Sequence, residues 1–330
     1  MIRSYRRACL LLLVLLTTAC LARGQDSQPR TRRVDSHGYK EAVELARGSA
    51  RAILCPEGGG RVLEYSVEGK QALWFDENER EPAPGKSRPM SAGRFDIGPE
   101  LTTAAHPKLW SGAWTVEITG KAAARLTSGR DEATGVQLQR DFNLNEDGSL
   151  ACQQTITNIS KATIEVCHWG RSFSPGGGIC LIPMAGKSKF PSKYAMYEDS
   201  AIINVRDQDE KIRERAGFLE ILAPPRKPKL GFDSHAGWLA YLMPGDVLFV
   251  KRFAVYPDRV YNEAAGLTLS VWYPAGPRIE LEPIGPRERL KPGESASFTE
   301  VWHLLSHPFP KKGEQVDLQK LRTQVEPLLK

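Results

Sequence analysis

From Ala52 to Leu305 the chain is cut by turn residues into short runs whose apolar positions recur every second residue. Such a pattern argues for many short strands and against a body built from helices. It is sharpest in Arg278–Leu305, where a strand, a Pro/Gly turn at Lys291-Pro292-Gly293-Glu294 and a closing strand follow one another. Strand side chains alternate, so Glu280 and Glu282 share one face while Ile279 and Leu281 share the other. A face bearing two acids is costly to bury. It is therefore expected to be wet, and is a candidate sugar- or proton-handling surface.

The other runs repeat the theme. Val136, Leu138 and Phe142 alternate with Gln137, Gln139 and Asp141, and Asn145-Glu146-Asp147-Gly148 turns the chain into a second strand over Ser149–Thr157, giving a hairpin. Further strands are expected at Arg61–Val67, Trp114–Thr119, Thr163–Trp169, Trp238–Leu242, Val247–Ala254, Leu267–Tyr273 and Ser297–Leu304. The middle, Phe173–Lys229, carries a glycine run and Pro224-Pro225 and is read as long loops over the sheet. Near the end, Leu318, Leu321, Val325 and Leu328 fall at helical spacing, so residues 313–330 are expected to dock as an amphipathic helix, frayed at Pro327. The fold class is all-β, a large sandwich with a short C-terminal helix.

The first 24 residues read as a signal peptide: Arg3, Arg6 and Arg7, then the apolar Leu10–Leu16, then small residues. The apolar run is shorter than the roughly 20 residues that span a bilayer. Ala22-Arg23-Gly24 fits a cleavage site that frees a soluble chain. Ala19-Cys20 is the alternative, a lipoprotein box with a lipid on Cys20 as the membrane contact. Either way the protein is expected in the periplasm or on the cell surface. Residues 25–39 contain Arg30, Arg32 and Arg33 without an apolar period and read as a flexible linker, leaving residues 40–330 as one domain. Cleavage after Gly24 lowers the formal charge from +6 to +2, and the clustered basic face needed for nucleic acid is missing from the pattern. Of the cysteines beyond the signal, a tight turn at Ile159-Ser160 places Cys152 opposite Cys167, within disulfide reach. Two buried free thiols are the other reading.

Three segments resemble galactose-mutarotase-like proteins. They are the glycine-turned opening Ile53-Leu54-Cys55-Pro56-Glu57-Gly58-Gly59-Gly60-Arg61-Val62, the stretch from Arg140-Asp141-Phe142-Asn143-Leu144 through Asn158-Ile159-Ser160 to His168-Trp169, and the acidic tail Ile279–Leu304. Their order covers nearly the whole domain and is closest to an exported bacterial branch. The resemblance implies a β-supersandwich with a carbohydrate site on its concave face. It also implies acid/base chemistry of the aldose 1-epimerase kind, an isomerase activity; His303 and His307 lack the Glu of an H-E-x-x-H pair and the cysteines form no ligand cluster, so no metal or cofactor is expected. Under the resemblance His168 would be the general acid and Glu282, or Glu280, the general base. Arg94-Phe95-Asp96-Ile97-Gly98-Pro99-Glu100 resembles the family's substrate loop, so Arg94 and Glu100 would meet sugar hydroxyls. His106 could supply a second acid, and Trp110 or Trp169 a stacking platform. The run after His168, Trp169-Gly170-Arg171-Ser172-Phe173, departs from the aromatic-Asn-Leu run of active epimerases. Two further readings therefore stand beside the enzyme: a non-catalytic carbohydrate-binding protein, and a structural envelope protein whose acidic strand faces water.

Overall fold

The computed structural model of the chain describes residues 28–82, 84, 86–199 and 201–329. The expected signal peptide and Cys20 lie outside these residues. Among the described residues the strands form two antiparallel sheets, one of thirteen strands and one of ten. At the centre of the larger sheet, Arg61–Val67, Gly93–Gly98, Ile164–Pro175, Arg278–Pro283, Leu269–Trp272, Lys229–Phe232 and Ala195–Tyr197 lie side by side in that order. The smaller sheet centres on Val247–Phe253, Ser295–Ser306, Leu150–Asn158 and Val136–Leu144.

Apolar alternation closes the sandwich. Val136, Leu138, Phe142 and Leu144 are buried at every second position of one strand of the hairpin. Phe95 of the larger sheet stacks on Trp302 of the smaller, ring centroids 5.6 Å apart, and Phe142 meets Phe95 edge-on. Such pairs add to the area term. On the far side of the smaller sheet, Trp238, Leu248 and Val250 pack against Val316, Leu318, Leu321 and Val325. This docks the C-terminal helix, Leu318–Val325, whose first turn is capped by Asp317 accepting from the Lys320 backbone at 2.9 Å. A 3-10 turn at Glu326–Leu329 takes over where Pro327 lacks an N–H.

Four expectations need correction. The linker of residues 25–39 contains a strand, Arg30–Ser36, paired with Tyr39–Arg47. Its basic residues are spent across the pair: Arg32 reaches Glu44 at 2.6 Å and Arg33 reaches Glu41 at 2.7 Å. An outermost strand facing water needs no apolar period, so hydropathy hides it. The stretch Phe173–Lys229 holds the short strands Ile179–Pro183, Ala195–Tyr197, Ile203–Asn204, Ile212–Arg215 and Phe218–Ile221 rather than loops alone. The polar loop expected at 94–100 is largely a strand, Gly93–Gly98. The Cys152–Cys167 pairing fails because the chain changes sheets between them. Cys152 lies opposite Phe142 and Glu300 in the smaller sheet, Cys167 opposite Gly98 in the larger, and both thiols are free and buried.

Candidate functional site

Register decides which side chains reach the outer face of the larger sheet, because directly paired residues of antiparallel strands share a face. Arg94 pairs with Arg171 and Asp96 with Trp169 along one side of the long strand Ile164–Pro175. Phe173 pairs with Glu280 along the other. Trp272 continues that row opposite Glu280, and Lys229 lies opposite Trp272. Rim residues Glu100, Leu101, Tyr197, Glu198 and Lys227 wall this surface into a cleft of about 730 Å³, within the range of pockets that take one small ligand.

The cleft floor is a charge lattice. Glu280 is held by Arg94 and, at 3.0 Å, by Arg171. Arg171 also reaches Asp96 at 3.2 Å and Glu100 at 3.7 Å. Trp110 backs the two guanidinium groups, its ring centroid 4.8 Å from Arg94 and 5.5 Å from Arg171. Beside them Glu282 accepts from Lys229 at 2.6 Å and from the Trp169 indole at 2.9 Å, while its second oxygen has no partner. The two carboxyls diverge for a physical reason. Burial would raise Glu280, but Arg94 and Arg171 outweigh it and hold that carboxyl below its ordinary range. Burial also acts on Glu282, where Lys229 opposes it and the Glu280 charge adds to it, and the result is a raised carboxyl.

Periodicity put Glu280 and Glu282 on one face, and the family resemblance put Arg94 in a substrate loop; in the structure the three lie together. The face is less wet than expected: Glu280 and Glu282 are 3% and 0% exposed. Two oppositely charged neighbours on Glu280 and one on Glu282 make that burial tolerable. Glu100 stands at the rim, its backbone N–H bound to Glu263 at 2.9 Å. His106 sits behind Asp96 at 2.7 Å, and that hydrogen bond raises its imidazole. Neither Trp110 nor Trp169 lines the cleft. Trp272 and Tyr197 do, and they offer the aromatic surface instead.

His168 is the main departure. It pairs with Ile97, one residue out of phase with Trp169, and so points between the sheets. There it stacks on Phe298 at 5.7 Å. Neither ring nitrogen has a well-formed hydrogen bond, although the Ala296 and Gln154 backbones lie near, and burial brings the imidazole down to about 3. A neutral ring facing the core has no contact with the cleft. The residues that sequence reasoning missed, Arg171, Phe173, Lys229 and Trp272, carried a readable signal in part. Trp169, Arg171 and Phe173 occupy alternate positions of one strand and therefore share a face. Lys229 and Trp272 come from distant segments, and only the strand order brings them in.

Among the described residues no group of three or more His, Cys, Asp or Glu could hold a metal ion. No family model matches the chain, and no curated protein matches its sequence. Solved structures do match. A candidate aldose 1-epimerase from Escherichia coli K12 aligns at a TM-score of 0.58 and 11% identity, over 80% of this chain and 99% of that one. The chain has the galactose-mutarotase-like fold. A galactose mutarotase-like protein from Lactobacillus casei aligns at 0.56 and 12% identity, covering 80% and 100% of the two chains. A galactose mutarotase related enzyme from Lactobacillus acidophilus aligns at 0.57 and 10%, covering 80% and 97%. On this galactose-mutarotase-like frame the cleft just described occupies the sheet face opposite the sandwich interior, on the side away from Phe95 and Trp302.

Proposed function

We propose that this protein binds a saccharide in the outer-face cleft. One observation carries the reading: a cleft of about 730 Å³ that combines forked arginine donors, carboxylates and the aromatic side chains of Trp272 and Tyr197. Sugars present hydroxyls that need both donors and acceptors, together with apolar ring faces that pack on aromatics. The fold supports it as well, since the similar solved proteins are described as mutarotase-like or as a candidate aldose 1-epimerase. Binding takes precedence over turnover here, because His168 lies in the core and the acid/base pair drawn from the resemblance is not assembled.

A second reading, anomer interconversion, is favoured by the Glu280–Glu282 pair. Two carboxyls on one face pushed in opposite directions are a recurrent acid/base arrangement. In that reading Glu282 holds the proton and Lys229 must swing aside to admit substrate. The test follows NMR line broadening and anomer exchange together, in freshly dissolved aldoses and oligosaccharides. Broadening without exchange is the expected result. Catalysed exchange that drops by the roughly 10²–10⁴-fold typical of such groups in Glu282→Gln would establish the enzyme instead. No broadening with any saccharide would remove the carbohydrate reading. For location, the reading of residues 1–24 puts the protein outside the cytoplasm. The intact mass of the processed chain then separates cleavage at Gly24 from acylation at Cys20.

A further inference from the structure

The cations of the cleft are not equivalent. The donors of Arg94 and Arg171 are taken by Glu280, Asp96 and backbone carbonyls, and Lys229 is taken by Glu282. Arg278 also lines the cleft, on the same strand and face as Glu280, two residues earlier. Among the described residues it has no carboxylate partner, and its buried Nε makes no hydrogen bond. It is nonetheless fixed in place. The guanidinium lies over three rings, 4.9 Å from the centroid of Trp74, 5.1 Å from Phe173 and 5.3 Å from Trp272.

Aromatic faces hold a cation through their quadrupole and leave its N–H donors untouched. A half-buried guanidinium held in this way, facing a cleft with its donors unused, is arranged to receive an external acceptor. The planar fork matches a carboxylate or another oxoanion with two parallel hydrogen bonds. Lys227, from the 222–228 loop, lines the same cleft and adds positive charge. Resting on the saccharide reading, we propose that the ligand is an anionic saccharide whose oxoanion substituent is bound by Arg278. The substituent sits at the Arg278 end of the strand Arg278–Pro283, and the sugar ring extends along that strand towards Glu280. Of the carboxylates that line the cleft, Glu280 faces Arg94 and Arg171, Glu100 faces Arg171 and Glu198 faces Arg226, while Asp199 stands at the rim accepting from the Ala201 and Ile202 backbones.

The experiment titrates the protein at low and at 0.3 M salt with neutral oligosaccharides and their uronate, sulfated and phosphorylated counterparts, alongside inorganic sulfate. The proposal expects one charged class to bind about ten- to a hundredfold more tightly than the neutral sugar, the strength of a charge-assisted pair. It expects that preference to fade in salt and to vanish in Arg278→Gln. Which charged class wins identifies the oxoanion. Arg278→Lys should recover only part of the preference, since an ammonium lacks the fork. Near-UV circular dichroism checks that each variant is folded. If Arg278→Gln is not, the salt dependence and Lys227→Gln carry the same test. Neutral sugars that bind as tightly as charged ones at low salt would overturn the proposal and leave the saccharide reading standing. Sulfate binding that depends on Arg278, with no saccharide bound, would overturn both and leave a bare anion site.

Discussion

The strand Ile164–Pro175 separates two buried charge networks that share its backbone and little else. Facing the smaller sheet, Lys251 is fully buried and reaches Glu300 at 2.9 Å, the Ser172 hydroxyl at 3.2 Å and the Leu281 carbonyl at 3.0 Å. Facing the cleft, Glu280 is as deeply buried but meets Arg94 and Arg171. Parity separates the two sets: residues 168, 170 and 172 point in, residues 169, 171 and 173 point out. The inner network is sealed, to the point that a Cβ on Gly170 would lie 1.8 Å from the Glu300 Oε1. The outer network borders a cleft that water or ligand can enter. Similar ion pairs thus meet different surroundings, a sealed interior in one case and an open cleft in the other.

The sharpest way to break this contrast is Lys251→Ala. It strands Glu300 between the sheets and is expected to cost about 3–5 kcal/mol in urea unfolding, with ligand affinity of the folded fraction unchanged. A double change, Lys251→Met with Glu300→Leu, should recover most of the loss, because it removes the need for the pair. Glu280→Gln should cost less, about 1.5–3 kcal/mol by the same measurement, because solvent in the cleft can rehydrate Arg94 and Arg171. Unlike the inner change, it should also alter saccharide affinity in the same titration. If the two substitutions affect stability and binding alike, the division into sealed and open networks is wrong.

The inner face also has a pH signature. His168 has an ordinary value of 6.5 in the unfolded chain and about 3 in the fold, so between these values the unfolded state binds more protons. Stability from this group is therefore complete above about pH 6.5 and is lost as pH falls towards 3, by about 2 kcal/mol at pH 5. His168→Phe should flatten that part of the curve by about this amount relative to the wild type while leaving saccharide binding intact. A loss of binding in His168→Phe would return this residue to the cleft. The smallest effect expected is none: Cys55, Cys152, Cys167 and Cys180 should resist alkylation in the folded protein and all react after unreduced unfolding. Burial pushes the Cys55 thiol up to about 12, which leaves it almost entirely in the unreactive thiol form.

What the sequence determined by itself rests on local periodicity. The hairpin at Val136–Leu144 and Leu150–Asn158, the acidic strand Arg278–Pro283 and the helix Leu318–Val325 follow from period 2 and period 3.6 patterns. So does the shared face of Glu280 and Glu282. The strand Arg30–Ser36 and the short strands between Ile179 and Ile221 escaped, because an outermost or very short strand leaves no periodic trace. Parity within a strand is local, but which parity faces the core depends on what packs above it. That is why His168 could be read as an acid when Phe298, some 130 residues later, covers it. The same holds for the site: Lys229 reaches Glu282, and Trp74 and Phe173 close over Arg278, only because segments far apart in sequence become neighbours in the fold. Burial and partner choice are properties of strand order, and strand order is decided by the free energy of the whole sandwich rather than by any segment of it.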